Sequence, residues 1–147
     1  MSNWTFQGSE IETLPEDCIG FVYLITNLKS GKKYIGKKQA FFTRKAMKTV
    51  VLKSGVKKKK KVTIKKDSDW KTYFGSNDAL NKDVELLGKE NFKREILKIC
   101  KTKTECSYYE AKYQFEYDVL LNPDMYYNSW IMVRVRASNI KETSDEE

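Results

Sequence analysis

Two tyrosines, Tyr23 and Tyr34, lie eleven residues apart in a lysine-rich part of this 147-residue chain. The sequence contains no histidine. That absence excludes Ser-His-Asp and Cys-His catalysis, histidine zinc sites, and every nuclease that uses histidine as its general base. If the chain is an enzyme, its proton donors and acceptors must therefore be tyrosine, lysine, aspartate or glutamate.

Charge is distributed unevenly along the chain. The formal net charge is +8, yet no aspartate or glutamate occurs between Cys18 and Lys66, and the segment from Lys29 to Lys66 holds 16 of the 28 cations. The rest of the chain carries 12 cations against 20 acids. Such polarisation favours a polyanionic partner, and nucleic acid is the first candidate. An anionic membrane surface is the weaker alternative, because the lysine stretch has neither aromatic anchors nor a helical apolar stripe.

Composition narrows the class of protein further. Hydrophobic residues make up 40% of the chain and charged residues 33%, as in a globular domain with a highly charged surface. No apolar run approaches the roughly 18 residues that cross a bilayer, and the N-terminus lacks the features of a secretory leader. Three cysteines without a C-x-x-C pair argue against a disulfide framework or a structural zinc site. We therefore expect reduced thiols and a cytoplasmic protein without membrane association.

A β-hairpin must position the two tyrosines. Apolar and aromatic residues alternate over residues 20–26, which predicts a strand covered on both faces. Turn residues occupy Asn27–Gly31, and a second strand begins over Lys33–Gly36.

The segment after the hairpin is strongly basic. Residues Lys37 to Lys48 are compatible with a short helix. Eight lysines follow between Lys53 and Lys66, around a Ser54-Gly55 break, and this stretch is either a mobile loop or a basic β-ribbon inserted into the domain. A lysine run is usually a solvated surface, but the acid-free surroundings here favour polyanion binding.

Two helices and one or two strands are predicted in the second half. Asn77 or Asp78 caps a helix that Gly88 ends, and a strand follows over residues 92–99. Thr104 or Ser107 caps a longer helix that runs to about residue 121. One face of that helix carries a predicted apolar and aromatic stripe, made of Tyr109, Tyr113, Tyr117 and Leu120. A last strand is expected over residues 131–135.

This order of elements predicts an α/β protein of the α+β kind. Its small central antiparallel β-sheet has about three strands, with an optional C-terminal strand, and is flanked by helices. We expect an N-terminal arm over residues 1–18, a single domain over 19–136 with a lysine-rich insertion at about 48–66, and an acidic disordered tail over 137–147.

Five features in this order resemble the GIY-YIG nuclease superfamily. They are Phe21-Val22-Tyr23, Tyr34-Ile35-Gly36, Arg44, a helix carrying Glu110, and Tyr127-Asn128. In the first motif, Phe21 and Val22 stand where the family's name has glycine and isoleucine, whereas the second motif is intact. The resemblance covers roughly residues 20–128 and is interrupted by the lysine-rich insertion.

The resemblance implies a metal-dependent endonuclease of phage or homing (mobile-element) type that hydrolyses phosphodiester bonds of DNA. Tyr23 and Tyr34 would position or deprotonate the attacking water, and Glu110 would bind one Mg²⁺ (or Mn²⁺) ion. Arg44 would hold the scissile phosphate, and Asn128 would brace the site or touch the phosphate.

Other residues would support this chemistry. Gly36 would let the backbone pass close to the substrate. Since an ordinary phenol has a pKa of about 10, the two tyrosines need nearby cations that lower it. The cations close in sequence that could do so are Lys32, Lys33, Lys37, Lys38 and Arg44. Lys37 and Lys38 could also contact phosphate or assist as a base. The insertion would grip phosphates without reading bases through five consecutive lysines, Lys57, Lys58, Lys59, Lys60 and Lys61.

Several alternatives stay open at this point. Tyr23 could be plain core, Tyr34 a cross-strand packing partner, and Glu105 or Glu116 the metal ligand if the helix register differs. The protein could be a non-catalytic binder on the same scaffold. Double-stranded DNA is the expected substrate, with RNA as the alternative, and the chain would act as a monomer or as a transient dimer on DNA.

Overall fold

The computed structural model describes residues 3–139 and has the expected α+β fold. Of the predicted acidic tail, Ala137–Asn139 form a short 3₁₀ turn, and the remainder lies outside the described residues. No helix within the described part of the chain is long and apolar enough to cross a membrane.

Within residues 3–139 the chain forms seven strands and two α-helices. In chain order they are β1 (Trp4–Phe6), β2 (Ser9–Glu10), β3 (Gly20–Asn27), β4 (Lys33–Gln39), β5 (Phe41–Val51), β6 (Lys57–Asp67), α1 (Asp78–Leu87), β7 (Phe92–Cys100) and α2 (Lys103–Glu116). Five strands form one sheet in the order β2-β1-β7-β3-β4, while β5 and β6 form a separate two-stranded ribbon.

The main sheet is larger than predicted and mixed in direction. The N-terminal arm contributes two strands, and β1 runs parallel to β7, whereas β3 pairs antiparallel with both β4 and β7. The optional strand over Ile131–Val135 is absent, since that segment has no regular secondary structure. The segment could not pair with β4 at Ile35, because the peptide groups of Ile35 at the outer edge already bond to the side chains of Gln114 and Asn128.

The helix predicted over Lys37–Lys48 is wrong. Strand β4 continues to Gln39, and β5 starts at Phe41 and pairs with β6 along its whole length. Aromatic and β-branched residues in β5 favour this extended form. The basic β-ribbon, one of the two predicted forms of the insertion, is the form present, and it extends over residues 41–67 rather than 48–66.

Strand β3 is covered on both faces, as its sequence predicts. Phe21, Tyr23 and Ile25 pack in one apolar cluster with Trp4 and with Leu80 of α1. The opposite face of β3 packs in a second cluster that includes buried residues of β4, β7 and α2. The buried centre of the sheet is therefore fixed from both sides, and β4 lies at its edge.

The two helices match their predictions to different degrees. Helix α1 is capped by Asn77, whose side chain accepts a hydrogen bond from the Leu80 N–H, and Gly88 follows its last turn. Helix α2 is capped by Thr102 rather than Thr104 or Ser107, and it ends at Glu116, five residues earlier than expected.

The predicted stripe of α2 is only partly buried. Tyr109 and Tyr113 are half-buried, but Tyr117 and Leu120 are 40% and 42% exposed. The reason is the left-handed conformation of Asp118, which turns the chain after the helix so that Val119 is buried instead.

Arg94 holds the loop between β6 and α1 against the sheet. Its side chain is buried, and its Nη1 donates hydrogen bonds to the carbonyls of Lys71 (3.0 Å) and Tyr73 (2.8 Å). The guanidinium also lies over the rings of Trp4 (4.8 Å) and Phe74 (4.2 Å). Burial lowers the pKa of Arg94 to about 10, so it stays charged at neutral pH.

We predict that Arg94→Ala lowers the melting temperature by about 10 °C, because it removes two charge-assisted hydrogen bonds and the packing of the side-chain stem, on the order of 3 kcal/mol. Arg94→Met keeps an apolar stem between the rings and should lose less. Thermal unfolding followed by circular dichroism measures both. Equal melting temperatures for the two variants and the wild type would contradict this role.

Candidate active site

A cleft of about 280 Å³ lies at the outer edge of β4. Strand β4 contributes Tyr34 and Lys37, α2 contributes Glu110 and Gln114, and Asn128 comes from the segment after α2. Tyr34 packs against the β3 face that carries Tyr23, whereas Lys37 reaches α2 on the other face. Among residues 3–139, β4 is the last strand on this side of the sheet, so side chains from both faces meet around its edge.

Tyr23 lies behind this cleft rather than in it. Its side chain is fully buried, 6.1 Å from the ring of Tyr34 and 5.9 Å from that of Tyr73, measured between ring centroids. Burial raises the pKa of Tyr23 well above its ordinary value, and the neighbouring phenols add to the effect. At neutral pH the Tyr23 phenol is therefore protonated and packed as core.

Tyr34 is half-buried and lines the cleft. Its hydroxyl lies 3.4 Å from Oγ of Ser76, in the loop that Arg94 holds. Burial raises the pKa of Tyr34, and the charge of Glu110 acts in the same direction, while the Ser76 hydroxyl opposes it. A protonated Tyr34 can donate a hydrogen bond to an anionic oxygen placed in the cleft.

The prediction that nearby cations lower the pKa of both tyrosines is wrong for this arrangement. Lys32 lies over the ring of Tyr127 (4.8 Å), and the Lys37 ammonium donates to Ser107 Oγ (2.7 Å). Lys38 is on the same face of β4 as Tyr34, but its ammonium pairs with Asp69 (2.6 Å) and lies over the ring of Tyr73 (4.2 Å). With these lysines directed elsewhere, desolvation determines the protonation of the phenols.

Glu110 is half-buried, as its position on the helix predicts, and its carboxylate accepts a hydrogen bond from the backbone N–H of Lys37. Desolvation raises the pKa of Glu110, and the positive charge of Lys37 opposes that shift. The two alternative ligands do not line the cleft. Glu105 is buried at the start of α2, where it accepts from the Lys101 N–H, and Glu116 is exposed at the end.

The chemistry of Glu110 fits a single hard divalent cation. A desolvated carboxylate gains more from a positive charge than a solvated one does. Mg²⁺ prefers oxygen ligands and usually keeps several waters while sharing substrate phosphates, so one carboxylate can be sufficient. Within residues 3–139 there is no cluster of three or more acidic or cysteine side chains, which argues against an all-protein metal cage.

Asn128 braces the edge of β4. Its Oδ1 accepts from the N–H of Ile35 (3.1 Å), and its Nδ2 donates to the Ile35 carbonyl (2.8 Å), which also accepts from Nε2 of Gln114 (3.0 Å). Both polar atoms of Asn128 are therefore used within the protein, in line with the bracing alternative. The preceding Tyr127 is fixed by its own hydrogen bond to Asp83 (2.6 Å).

Gly36 provides the space in which the tyrosines pack. A Cβ atom at this position would lie 2.5 Å from the hydroxyl oxygen of Tyr23 and 2.9 Å from Cε2 of Tyr34. The second motif therefore needs glycine for the packing of Tyr23 and Tyr34 over β4.

Comparison with known proteins is consistent with this arrangement. A family model described as "Putative endonuclease segE, GIY-YIG domain" matches residues 4–131. The chain belongs to this GIY-YIG endonuclease family. It is also 35% identical over 92 residues to "Putative endonuclease segE" of Enterobacteria phage T4, an alignment that covers 63% of this chain and 32% of that protein. The matched region thus spans about a third of the length of this relative. No solved structure matches.

One predicted site residue lies apart from the cleft. Arg44 is exposed on the ribbon, where it pairs with Ile64, and it does not line the cleft with Tyr34 and Glu110. The short helix predicted for this segment is replaced by the extended strand β5, which carries Arg44 along the ribbon. Lys37 is the cation that lines the cleft instead. The five lysines over residues 57–61 are also exposed on the ribbon.

Six residues that line the cleft are not among the predicted site residues: Ser76, Asn77, Gln114, Ser129, Trp130 and Met132. Gln114 lies one helical turn after Glu110, so helical spacing could have found it. No local sequence pattern indicates Ser76 as a site residue, because its contact with Tyr34 depends on how a loop distant in sequence packs against β4. Trp130 and Met132 line the cleft and are 66% and 72% exposed. Met132 falls within the predicted C-terminal strand, and Trp130 lies just before it.

We predict that Gly36→Ala destabilises the protein by about 1–3 kcal/mol, because the added methyl group overpacks the space next to the two tyrosines. In a Tyr23→Phe background the cost should be smaller, since the nearest clashing atom is the Tyr23 hydroxyl oxygen. Urea unfolding of the four chains of this double-mutant cycle measures the difference. A cost that is independent of the Tyr23 hydroxyl would contradict the proposed contact.

We also predict that Glu110→Gln raises the melting temperature at pH 7 by a few degrees. The raised pKa means that the folded state binds the proton more tightly than the unfolded state, so folding is favoured at acid pH. That advantage is lost as the pH rises from the ordinary glutamate range through the raised value. The gain from Glu110→Gln should therefore shrink towards zero at about pH 4. Glu116→Gln, an exposed change on the same helix, is the control and should show no such trend.

Proposed function

We propose that this chain is a metal-dependent endonuclease that hydrolyses phosphodiester bonds of double-stranded DNA. The observation that carries the proposal is the cleft at the edge of β4, where a desolvated Glu110 faces Tyr34 and Lys37 in a chain of the GIY-YIG endonuclease family. That cleft combines a ligand for a hard cation, a hydrogen-bond donor and an ammonium group, which phosphodiester hydrolysis can use.

The metal ion would be held by Glu110 together with water and phosphate oxygens. When bound, Mg²⁺ (or Mn²⁺) supplies positive charge that stabilises the charge developing on the phosphate and the leaving oxygen. The protein must keep Glu110 ionised and correctly oriented. The backbone N–H of Lys37 contributes to this by donating a hydrogen bond to the carboxylate.

The other residues of the cleft would orient the substrate. Tyr34, whose hydroxyl lies next to Ser76, would donate a hydrogen bond to the attacking water or to a phosphate oxygen. Lys37 would exchange its contact with Ser107 for a phosphate oxygen. Asn128 would hold β4 in register, and Tyr23 would support Tyr34 from behind.

The ribbon would bind the DNA backbone outside the cleft. Lys57, Lys58, Lys59, Lys60 and Lys61 would contact phosphates along the duplex, so binding should depend strongly on salt. Arg44 would act with these lysines rather than at the scissile phosphate. Lys38, only 12% exposed and paired with Asp69, would help to fix the base of the ribbon.

Two alternatives are outcomes of the same experiments. A binder without catalysis would shift DNA on a gel and never cut it, and an RNA nuclease would prefer RNA in competition.

We propose that the chain works in a reducing cytoplasm, that of the host if it is phage-encoded, because its three cysteines are buried free thiols. It would act as a monomer or as a transient dimer on DNA.

Incubation with supercoiled plasmid tests the activity. We expect nicking or linearisation with Mg²⁺ and none with EDTA. Glu110→Gln should reduce the rate about 1000-fold, because metal stabilisation is worth several kcal/mol, and Tyr34→Phe about 10- to 100-fold. Matched controls are Glu116→Gln and Tyr108→Phe, two exposed positions of α2 whose rates should equal that of the wild type. Undiminished cleavage by Glu110→Gln would overturn the assignment of the metal ligand.

A further inference from the structure

The ribbon formed by β5 and β6 is an arm with an anchored base. At that base, Ser68 donates from Oγ to the Gln39 carbonyl (2.6 Å) and from its N–H to the Ala40 carbonyl (3.1 Å). Phe41 packs against the main core. Beyond this point no residue from 42 to 66 is buried. Each strand has eleven residues, so the arm is about 37 Å long, close to one helical turn of B-DNA at about 34 Å.

Both faces of the arm are cationic. Residues paired across an antiparallel ladder lie on the same face, so the register assigns every side chain. One face carries Lys45, Lys57, Lys59, Lys61 and Lys65. The other face carries Arg44, Lys48, Lys58, Lys60 and Lys66. Among the described residues none of these ten cations forms an ion pair, and Lys48 lies directly opposite Lys60.

This charge pattern suits a groove with a phosphate backbone on each side. Opposed like charges destabilise a free ribbon, and a polyanion removes that repulsion. An arm lying with one face on the bases would leave half its cations unused, whereas an arm set edge-on between two backbones uses both faces. Residues 42–66 include no Asn, Gln, Asp or Glu, so the arm has no amide or carboxylate side chain for reading adenine or cytosine.

Exposed apolar side chains flank the Lys53-Ser54-Gly55 turn at the tip of the arm. Val51, Leu52 and Val56 are 67%, 45% and 57% exposed. The turn is closed by hydrogen bonds from the Leu52 N–H to the Val56 carbonyl and from the Gly55 N–H to the Leu52 carbonyl, both 2.8 Å. An exposed apolar group at the end of a polycationic arm is costly in water. Apolar side chains that DNA-bending proteins insert between base steps are of this kind.

We propose, building on the nuclease function proposed above, that the ribbon is a DNA-bending arm: its two cationic faces grip the backbones on both sides of a duplex groove, and Leu52 and Val56 at its tip insert against a base step. The kink makes the contact sensitive to DNA deformability rather than to base identity. Flexible pyrimidine–purine steps are the expected positions of the tip.

Energy transfer between dyes at the ends of a duplex of about 30 base pairs tests the bend, with the wild-type chain at saturating concentration in EDTA. We expect the wild type to increase the transfer, and Leu52→Ser/Val56→Ser to lose at least half of that increase. The matched control is Leu86→Ser, since Leu86 is 80% exposed on α1 and remote in sequence from the arm. Equal melting temperatures of the variants establish that each is folded.

Salt dependence separates the two parts of the arm. Lys58→Gln/Lys59→Gln/Lys60→Gln should reduce the slope of log K against log salt by about 3, at roughly 0.9 per phosphate contact. The tip variant should leave that slope unchanged. A tip variant that bends DNA as the wild type does, a wild type that does not bend DNA, or an RNA duplex that competes equally would each overturn the proposal.

Cleavage and bending are measured separately, so the two proposals fail separately. Bending without metal-dependent cleavage would support the arm and remove the nuclease function. Cleavage of plasmid by a chain that leaves the duplex straight would support the nuclease and overturn the arm.

Discussion

The candidate site depends on how the outer edge of β4 is satisfied. An edge strand presents unpaired N–H and C=O groups, and another strand would normally cover them. Here Asn128 and Gln114 bond to both peptide groups of Ile35 instead. These two amides close the ladder without adding a strand, so Tyr34 and Lys37 on either side of Ile35 keep open space beside them. If these two side chains did not bond to Ile35, a further strand could pair with β4 and cover the cleft.

Desolvation then determines the chemistry available in that space. The same burial that packs Tyr23 and Tyr34 over Gly36 keeps their phenols protonated, and it holds the charge of Glu110 at a free-energy cost. A cation bound beside the carboxylate would offset that cost. The two tyrosines are thus better suited to positioning than to removing a proton, and the carboxylate is suited to binding a metal ion.

Local signals predicted the parts of the fold that are local in origin. The β3–β4 hairpin follows from alternation and turn residues, α1 from its Asn77 cap and Gly88, and the half-burial of Glu110 from helical spacing. The pairing of β1 with β7 joins residues about ninety positions apart and has no short-range signal. Residues 37–48 are extended because of their partners: residues 37–39 pair with β3, and residues 41–48 pair with β6. Arg44 therefore lies on the ribbon and does not line the cleft.

The proposed function places DNA affinity and catalysis in different parts of the molecule, and electrostatics gives a reason for that separation. A dense group of lysines beside Glu110 would compete with a metal ion for the carboxylate and would repel the ion itself. The seven residue-to-residue steps from Tyr34 to Phe41 span up to about 24 Å of extended chain, and the cations of the ribbon begin beyond Phe41. Since charges are screened over about 8–10 Å at physiological salt, the ribbon can attract DNA without altering the ionisation of the cleft. Lys37 alone supplies local positive charge, and its backbone N–H, rather than its ammonium, bonds to Glu110.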